Sequence, residues 1–341
     1  MILIDALYIN NSGGKILLDY LIESIEKSDL EVCYLLDFRI YKKHPIILNN
    51  RVDYLVASLI NRHKFYKKVG KSFDVVFCFG NLPPSFKLKA KVYTYFHQKL
   101  FVIRPSSLPV LFKIKLWIKS KVVFFFRKNT DFWIVQTDSM KHAFLKSFNV
   151  NSKHILIKPF YPPFKNLDNI FIKRVDHSFL YVSSGAPHKN HKNLLSGFKM
   201  FYDKNKKGEL HLTLLENESI LIRNIKNMQK LGYPIINHGF VSREKLSLLY
   251  RSAEYIVYPS LTESFGLGVI EGVENGCMVL GADLEYLKSV CIPNIVFNPN
   301  LDSDIAMGFE NAIKIKKLKA TQLVFNEIEQ ILKLLHNVNK K

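Results

Sequence analysis

The segment Y-P-S-L-T-E-S-F-G-L-G-V-I-E-G-V-E-N-G-C-M-V-L-G-A-D, residues 258–283, places two carboxylates, Glu263 and Glu271, at either end of a glycine-bearing apolar run. A-E-Y-I-V-Y-P-S, which leads into it, reads as a strand. L-T-E-S-F-G then reads as a loop, L-G-V-I-E-G-V-E-N as a helix and C-M-V-L-G-A-D as the next strand. Strand, loop, helix and strand in that order make a parallel crossover, and in open α/β sheets ligands bind beyond the carboxyl ends of the strands. Glu263 falls in that loop. Phe265, Gly266 and Leu267 bring main-chain N–H groups to the start of the helix, where geometry and dipole favour an anion. Glu271 follows about one turn into the helix. A carboxylate accepts two hydroxyl hydrogen bonds at once, which suits a vicinal diol such as a ribose. One loop therefore offers a diol acceptor, an anion site and a second carboxylate for another polyol. Those match the three parts of a nucleotide-diphosphate sugar.

The same pattern extends in both directions. I-L-I-D-A-L-Y-I is a strand, N-N-S-G-G a turn, and K-I-L-L-D-Y-L-I-E-S-I-E-K-S a helix with Ile16, Leu17, Tyr20, Leu21, Ser24 and Ile25 at helical spacing. E-V-C-Y-L-L-D-F, D-V-V-F-C-F-G, K-V-Y-T-Y-F-H and D-F-W-I-V-Q-T continue a parallel α/β series. H-S-F-L-Y-V-S-S-G restarts it, with a helix over about 193–205, then L-H-L-T-L-L-E-N and P-I-I-N-H-G-F. P-F-Y-P-P-F, residues 159–164, stands between the two series and reads as a linker. The expected division is an N-terminal domain over 1–163, a C-terminal domain over 164–320 and a final amphipathic helix over 321–341 that packs back on the first. Leu323, Val324, Ile328, Ile331, Leu332 and Leu335 line one face of that helix.

With 341 residues, 48% apolar and 13% aromatic, the chain suits two packed domains. Cys33, Cys78, Cys277 and Cys291 are too scattered for a zinc site or a disulfide framework, and fit reduced thiols. M-I-L-I-D-A-L-Y-I has no basic start or cleavage site, so it reads as a strand rather than a leader. The charge is lopsided. Residues 1–165 hold 27 basic and 11 acidic side chains, a net of +16, and residues 166–341 hold 22 and 18, a net of +4. Such asymmetry points to an anionic partner for the first half, or to a proteome rich in lysine.

E-S-F-G-L-G-V-I-E resembles the E-x(7)-E motif of retaining glycosyltransferases of group 1 (family 4). H-G-F-V-S-R-E-K-L-S-L-L-Y-R-S-A-E-Y-I-V-Y-P-S followed by the opening segment is similar to that family's C-terminal signature. F-L-Y-V-S-S-G-A-P-H-K-N-H-K-N-L-L-S-G-F resembles the start of its second domain, N-N-S-G-G its glycine loop and Y-T-Y-F-H-Q its active-site histidine segment. The resemblance implies a GT-B fold: α/β, with two Rossmann-like domains whose parallel sheets face across a cleft. It implies donor binding by Glu271 at the ribose, Lys189 at the diphosphate, Gly13 and Gly14 at the donor phosphates, and main chain at Phe240 and Val241 at the base. Glu263 would contact the transferred sugar, and His97 would lie beside the anomeric centre. Transfer would retain configuration by a front-face route, with no cofactor and no metal. Two positions depart from the family. Ser184 stands where an arginine usually faces the diphosphate, which leaves His188, His191 or Lys192 to compensate, and Gly268 stands where a proline is usual.

Other patterns are weaker. G-G-K-I lacks the rest of a phosphate-binding loop, and no G-x-G-x-x-G precedes Asp37, which argues against a dehydrogenase. Asp302-Ser303-Asp304 imitates a metal-binding D-x-D but reads as a helix cap. Residues 101–128 carry seven Lys/Arg and no acid, interleaved with Trp117 and several Phe, Leu and Val. That fits a helix in the interface of an anionic membrane, and so a cytoplasmic protein peripheral on the inner face that receives a saccharide or lipid-linked saccharide. The alternatives are an ordinary core helix, or a nucleic-acid-binding surface without a recognised motif; no specific nucleic acid is expected.

Overall fold

Long aliphatic runs make strands here because both of their faces are covered, as parallel sheets require. The computed structural model describes residues 1–106, 108–164, 172–315 and 318–336. Its first compact unit comprises Met1–Arg104, Pro109–Pro162 and the tail from Phe325. It runs β1 (Ile2–Ala6), α1 (Ser12–Glu26), β2 (Val32–Asp37), β3 (Arg51–Leu55), α2 (Leu59–Val69), β4 (Val75–Cys78), β5 (Lys91–Tyr95), α3 (Val110–Phe126), β6 (Phe132–Val135), α4 (Asp138–Phe148) and β7 (Ile155–Ile157). The seven strands are parallel, in the order β3-β2-β1-β4-β5-β6-β7.

The second unit comprises Pro105–Leu108 and Pro163–Val324. It runs β8 (Val175–Tyr181), α5 (His191–Asn205), β9 (Glu209–Leu212), α6 (Ser219–Lys230), β10 (Ile235–Asn237), α7 (Arg243–Ser252), β11 (Ala253–Tyr258), α8 (Leu267–Glu274), β12 (Met278–Ala282), α9 (Glu285–Lys288), β13 (Cys291–Ile292), β14 (Ile295–Phe297), α10 (Asp302–Ala312) and β15 (Thr321–Gln322). Six of the strands form a parallel sheet in the order β10-β9-β8-β11-β12-β14, and β13 pairs antiparallel with β15. The chain then returns to the first unit as α11 (Ile328–His336). Both units are Rossmann-like, as the fold class requires.

Four details differ from the sequence reading. The final helix starts at Ile328, not near 321. Thr321 and Gln322 are in β15, and Leu323 is 47% exposed off any helix, so only Ile328, Ile331 and Leu335 form the buried face; residues from 337 onward lie outside the described set. The P-F-Y-P-P-F segment carries the division between the units, at Pro162 and Pro163, as its reading as a linker expects, but its first residues are packed. Phe160 is buried against Tyr20, Phe79 and Tyr95, and the Glu327 N–H donates to the Pro159 carbonyl at 2.7 Å. Leu301 takes the N-cap position of α10, while Asp302 and Asp304 sit in the first turn, where their charge complements the helix dipole. β3 and α2 were not anticipated, and neither was β7.

A buried ion pair ties the first sheet to α2. Arg62 Nε donates to Asp5 Oδ2 at 2.7 Å; both side chains are nearly inaccessible, at 4% and 1%. The guanidinium also donates to the Leu82 and Pro83 carbonyls at 2.8 and 2.7 Å, and the Tyr66 hydroxyl donates to Asp5. Removing one partner of such a pair strands the other without water. Arg62→Met is therefore expected to cost about 3–5 kcal/mol in urea denaturation. Lys204→Met, at an exposed pair with Glu310, should cost no more than about 1 kcal/mol.

Candidate active site

Strand order reverses between β1 and β4 in the first sheet and between β8 and β11 in the second. At such a reversal the loops leaving the carboxyl ends of the two central strands diverge and leave a crevice. Most of the residues singled out in the sequence lie at these two places.

In the first unit, β5 leads to His97 and β4 to Asn81. The Asn81 Oδ1 accepts the His97 main-chain N–H at 2.7 Å, which turns the Asn81 amide nitrogen toward His97 Nε2, 3.3 Å away. Nε2 then serves as acceptor, and Nδ1, enclosed by protein, has no partner among the described residues. Burial pushes the imidazole pKa down to about 4, so His97 is neutral at pH 7. The glycine loop is adjacent. A Cβ on Gly14 would come within 3.4 Å of His97 Nε2, whereas one on Gly13 would meet nothing within 4 Å. Gly14 thus lies against the His97 ring, and Gly13 faces open space.

In the second unit, the loops after β8 and β11 are stitched together through their backbones. The Leu261 N–H donates to the His188 carbonyl at 2.8 Å. Asn190, left-handed at φ 62°, donates to the Pro259 and Pro299 carbonyls at 3.2 and 2.7 Å. The Tyr181 hydroxyl donates to the Lys189 carbonyl at 2.9 Å and meets Ser260 Oγ at 2.8 Å. This frame brings Lys189 Nζ to 2.5 Å from Glu263 Oε1; the two side chains are 16% and 11% exposed. Phe265 is buried and Gly266 adopts φ +72°, a left-handed turn that favours glycine, so α8 opens at Leu267 with its first amides unsatisfied by the helix.

Glu271 lies on α8, 3% exposed. Arg243 Nη1 donates to its Oε1 at 2.8 Å and the Tyr250 hydroxyl to its Oε2 at 3.2 Å, both from α7. Burial raises the carboxyl pKa and the guanidinium opposes the rise. Arg243 also stacks over the Phe164 ring at 4.3 Å. Phe240 and Val241 sit just before α7, whose N-cap is Ser242; Phe240 is 82% exposed and Val241 partly buried. Their loop follows His238, whose Nε2 meets His211 Nδ1 at 3.0 Å, while His211 Nε2 meets Glu209 at 2.8 Å.

The departures from the family now have physical content. His191 is buried, with Nε2 at 2.9 Å from Ser183 Oγ and 3.0 Å from the Ser184 carbonyl, and its pKa falls to about 4 through burial. Burial and then Lys189 lower that of His188 as well. Neither histidine replaces the missing arginine's charge at neutral pH, and Lys192 is exposed. At Gly268 a Cβ would stand 3.2 Å from the Tyr250 hydroxyl and 3.3 Å from the Tyr258 ring, so the glycine makes room for the tyrosine that holds Glu271. Sequence reasoning missed Asn81, Arg243 and Tyr250. Arg243 lies 28 residues from its partner, a separation without periodicity to betray it.

Residues 167–323 match the family profile described as "Glycosyl transferases group 1". Those residues form a group 1 glycosyltransferase domain. The O-antigen chain mannosyltransferase RfbU of Salmonella typhimurium is 25% identical over 179 residues, covering 52% of this chain and 48% of that protein. The chain therefore spans about half the length of that curated relative. A glycosyltransferase from Rickettsia africae superposes with a TM-score of 0.71 at 14% identity, covering 100% of this chain and 98% of the other. Anabaena HepE, solved with UDP and glucose, superposes with a TM-score of 0.65 at 14% identity, covering 99% and 97%. The fold is GT-B in class, and the group 1 domain contains Lys189, Glu263 and Glu271.

Within the group 1 domain, Arg243→Met should leave the Glu271 carboxyl uncompensated and raise its pKa further. A carboxyl whose folded pKa exceeds its unfolded value binds protons preferentially in the folded state, so stability is highest below the unfolded value and falls as pH rises toward the folded one. The variant should lose about 2 kcal/mol relative to the native chain at neutral pH and less near pH 5, with Arg243→Lys recovering part. Urea midpoints at the two pH values test this.

Proposed function

We propose that the protein is a retaining glycosyltransferase that moves a hexosyl group from a UDP- or GDP-sugar to a saccharide acceptor in the assembly of a cell-surface polysaccharide of O-antigen or capsule type. The observation that carries this is the Lys189–Glu263 pair at the β8/β11 reversal, with Glu271 on the α8 helix that follows, all within the residues that match the family profile. Lys189 offers a point charge to the bridging phosphates, aided by the opening amides of α8 at Phe265, Gly266 and Leu267. Glu271, held by Arg243 and Tyr250, takes the ribose diol; Glu263 takes hydroxyls of the transferred sugar; the main chain at Phe240 and Val241 takes the base. His97 is assigned to the anomeric centre, and Gly13 and Gly14 to the donor phosphates. The leaving nucleoside diphosphate is stabilised by these preorganised donors, and by the front-face route its phosphate accepts the acceptor's proton. The mannosyltransferase relative supports the polysaccharide setting. A panel of nucleotide sugars assayed for nucleoside diphosphate release tests the activity; no release from any of them overturns it. Glu271→Ala should raise the donor KM by on the order of tenfold or more, from the loss of charge-assisted hydrogen bonds.

We assign the acceptor to the first unit and place that unit on an anionic membrane as a peripheral protein, which suits a lipid-linked saccharide. On α3, Leu116 and Val123 are the buried residues, and Val110, Ile114, Trp117, Ile118 and Phe125 form an exposed stripe on the opposite face. Lys115 and Lys119 flank it, exposed, and Lys121 lies over the Trp117 ring at 5.4 Å. An apolar stripe edged by lysines is the composition that interfacial helices use. Among the described residues no helix is long and apolar enough to cross a membrane. The native chain is expected to float with liposomes containing anionic lipid and to remain behind with neutral ones, and Trp117→Ser with Lys115→Glu should abolish flotation. Flotation without anionic dependence, or none at all, removes this placement.

A further inference from the structure

The frame around Lys189 is poor in positive charge. Lys189 is the one Lys or Arg in residues 182–190 and 259–266, and His188 and His191 are held neutral. The same loop meets a carboxylate at Gly185, whose N–H donates to Glu218 Oε1 at 3.2 Å. The sole cation of these loops is already spent on Glu263, at 2.5 Å. Among the described residues, no second donor reaches the Glu263 carboxylate. Two hydroxyls of this frame are committed elsewhere: Tyr181 is bound to the Lys189 carbonyl and Ser260, and Tyr286 to the Ser260 carbonyl.

We propose that the Lys189–Glu263 ion pair discriminates between the intact nucleotide sugar and the nucleoside diphosphate left after transfer, and so promotes release of that product. This rests on the donor-site reading given above. Any diphosphate that captures the Lys189 ammonium must take it from Glu263. Glu263 is largely enclosed, so a carboxylate abandoned there is expensive. A nucleotide sugar supplies both replacements together: phosphates for the ammonium and sugar hydroxyls for the carboxylate. A nucleoside diphosphate has no hydroxyl at that end. It must either leave Glu263 unpaired or share the ammonium with it. When the sugar departs to the acceptor, the carboxylate regains its claim on Lys189 and weakens the hold on the product. Ser184 in place of an arginine strengthens the device, because Lys189 is the one Lys or Arg these two loops offer a diphosphate.

The test is calorimetric titration of UDP and GDP into the native chain, Glu263→Gln, Lys189→Met and the double variant, with nucleotide-sugar KM measured in parallel. Glu263→Gln is expected to bind the preferred nucleoside diphosphate more tightly, by on the order of tenfold, while its nucleotide-sugar KM rises. In the Lys189→Met background the same Glu263→Gln change should give no gain, because there is no ammonium to free. Unchanged or weaker diphosphate binding by Glu263→Gln overturns the proposal. An equal gain in the Lys189→Met background also overturns it, since the effect would then be plain charge repulsion. Glu263→Ala, which removes the same charge, repeats the comparison should the glutamine variant prove unstable in a thermal melt. If the native chain binds neither nucleotide, the donor-site reading itself fails. Binding by the native chain without the predicted opposition of effects sinks only the role of the ion pair.

Discussion

The reversal of strand order in each parallel sheet is the constraint from which the rest of the molecule follows. Parallel strands force every connection to cross back over the sheet, and where the order reverses the loops on either side lead away from each other. In the second unit those loops would leave main-chain groups uncovered, and the sequence answers with specific stitches: Leu261 to His188, Asn190 to Pro259 and Pro299, Tyr181 to Lys189. The positions of Lys189 and Glu263 are thus set by backbone contacts made by their neighbours. The first unit repeats the device with fewer parts, since Asn81 alone fixes the backbone and ring of His97 beside Gly14.

Much of this was legible in the sequence, and the reasons differ by element. Continuous apolar runs such as V-V-F-C and A-E-Y-I-V-Y announce central strands because every side chain is buried. R-V-D-Y-L in β3 is an edge strand, exposed at Arg51 and half-covered beyond it, so its polar residues conceal it. α2 is hidden for a similar reason, its buried residues including an arginine whose partner lies on β1. The tail misled because a helical period was extended through Thr321 and Gln322, which pair with β13 instead. Glu263 and Glu271 were readable as a pair because loop and helix place them locally. Arg243 and Tyr250 were not, because only tertiary packing of α7 on α8 brings them to Glu271.

Gly268 illustrates how one departure from a family pattern is absorbed. The vacated volume is filled by the Tyr250 hydroxyl and the Tyr258 ring, and the hydroxyl gives Glu271 its second donor. Ser184 is a different case. The neighbouring His188 and His191 are neutral at pH 7 and bring no charge to its place. One change was compensated by packing, which tolerates substitution of shape for shape, and the other was left as a deficit of charge, which no neutral group replaces.

Three buried or nearly buried carboxylates show how the chain separates architecture from chemistry. Each is paired with a cation, but their remaining capacity differs. Asp5 accepts from the Leu7 N–H, Arg62 and Tyr66, and its arginine is itself fully engaged with carbonyls. Glu271 accepts from two side chains and Glu263 from one. A carboxylate has about four lone-pair sites, so the unfilled share grows from Asp5 to Glu271 to Glu263. An acceptor as nearly filled and buried as Asp5 has little to offer a ligand and serves the fold. An acceptor with capacity left can take hydroxyl donors from a ligand. The number of protein donors falls from the strand interior at β1 to the loop at the β8/β11 reversal, where the frame beneath Lys189 and Glu263 holds the pair in place.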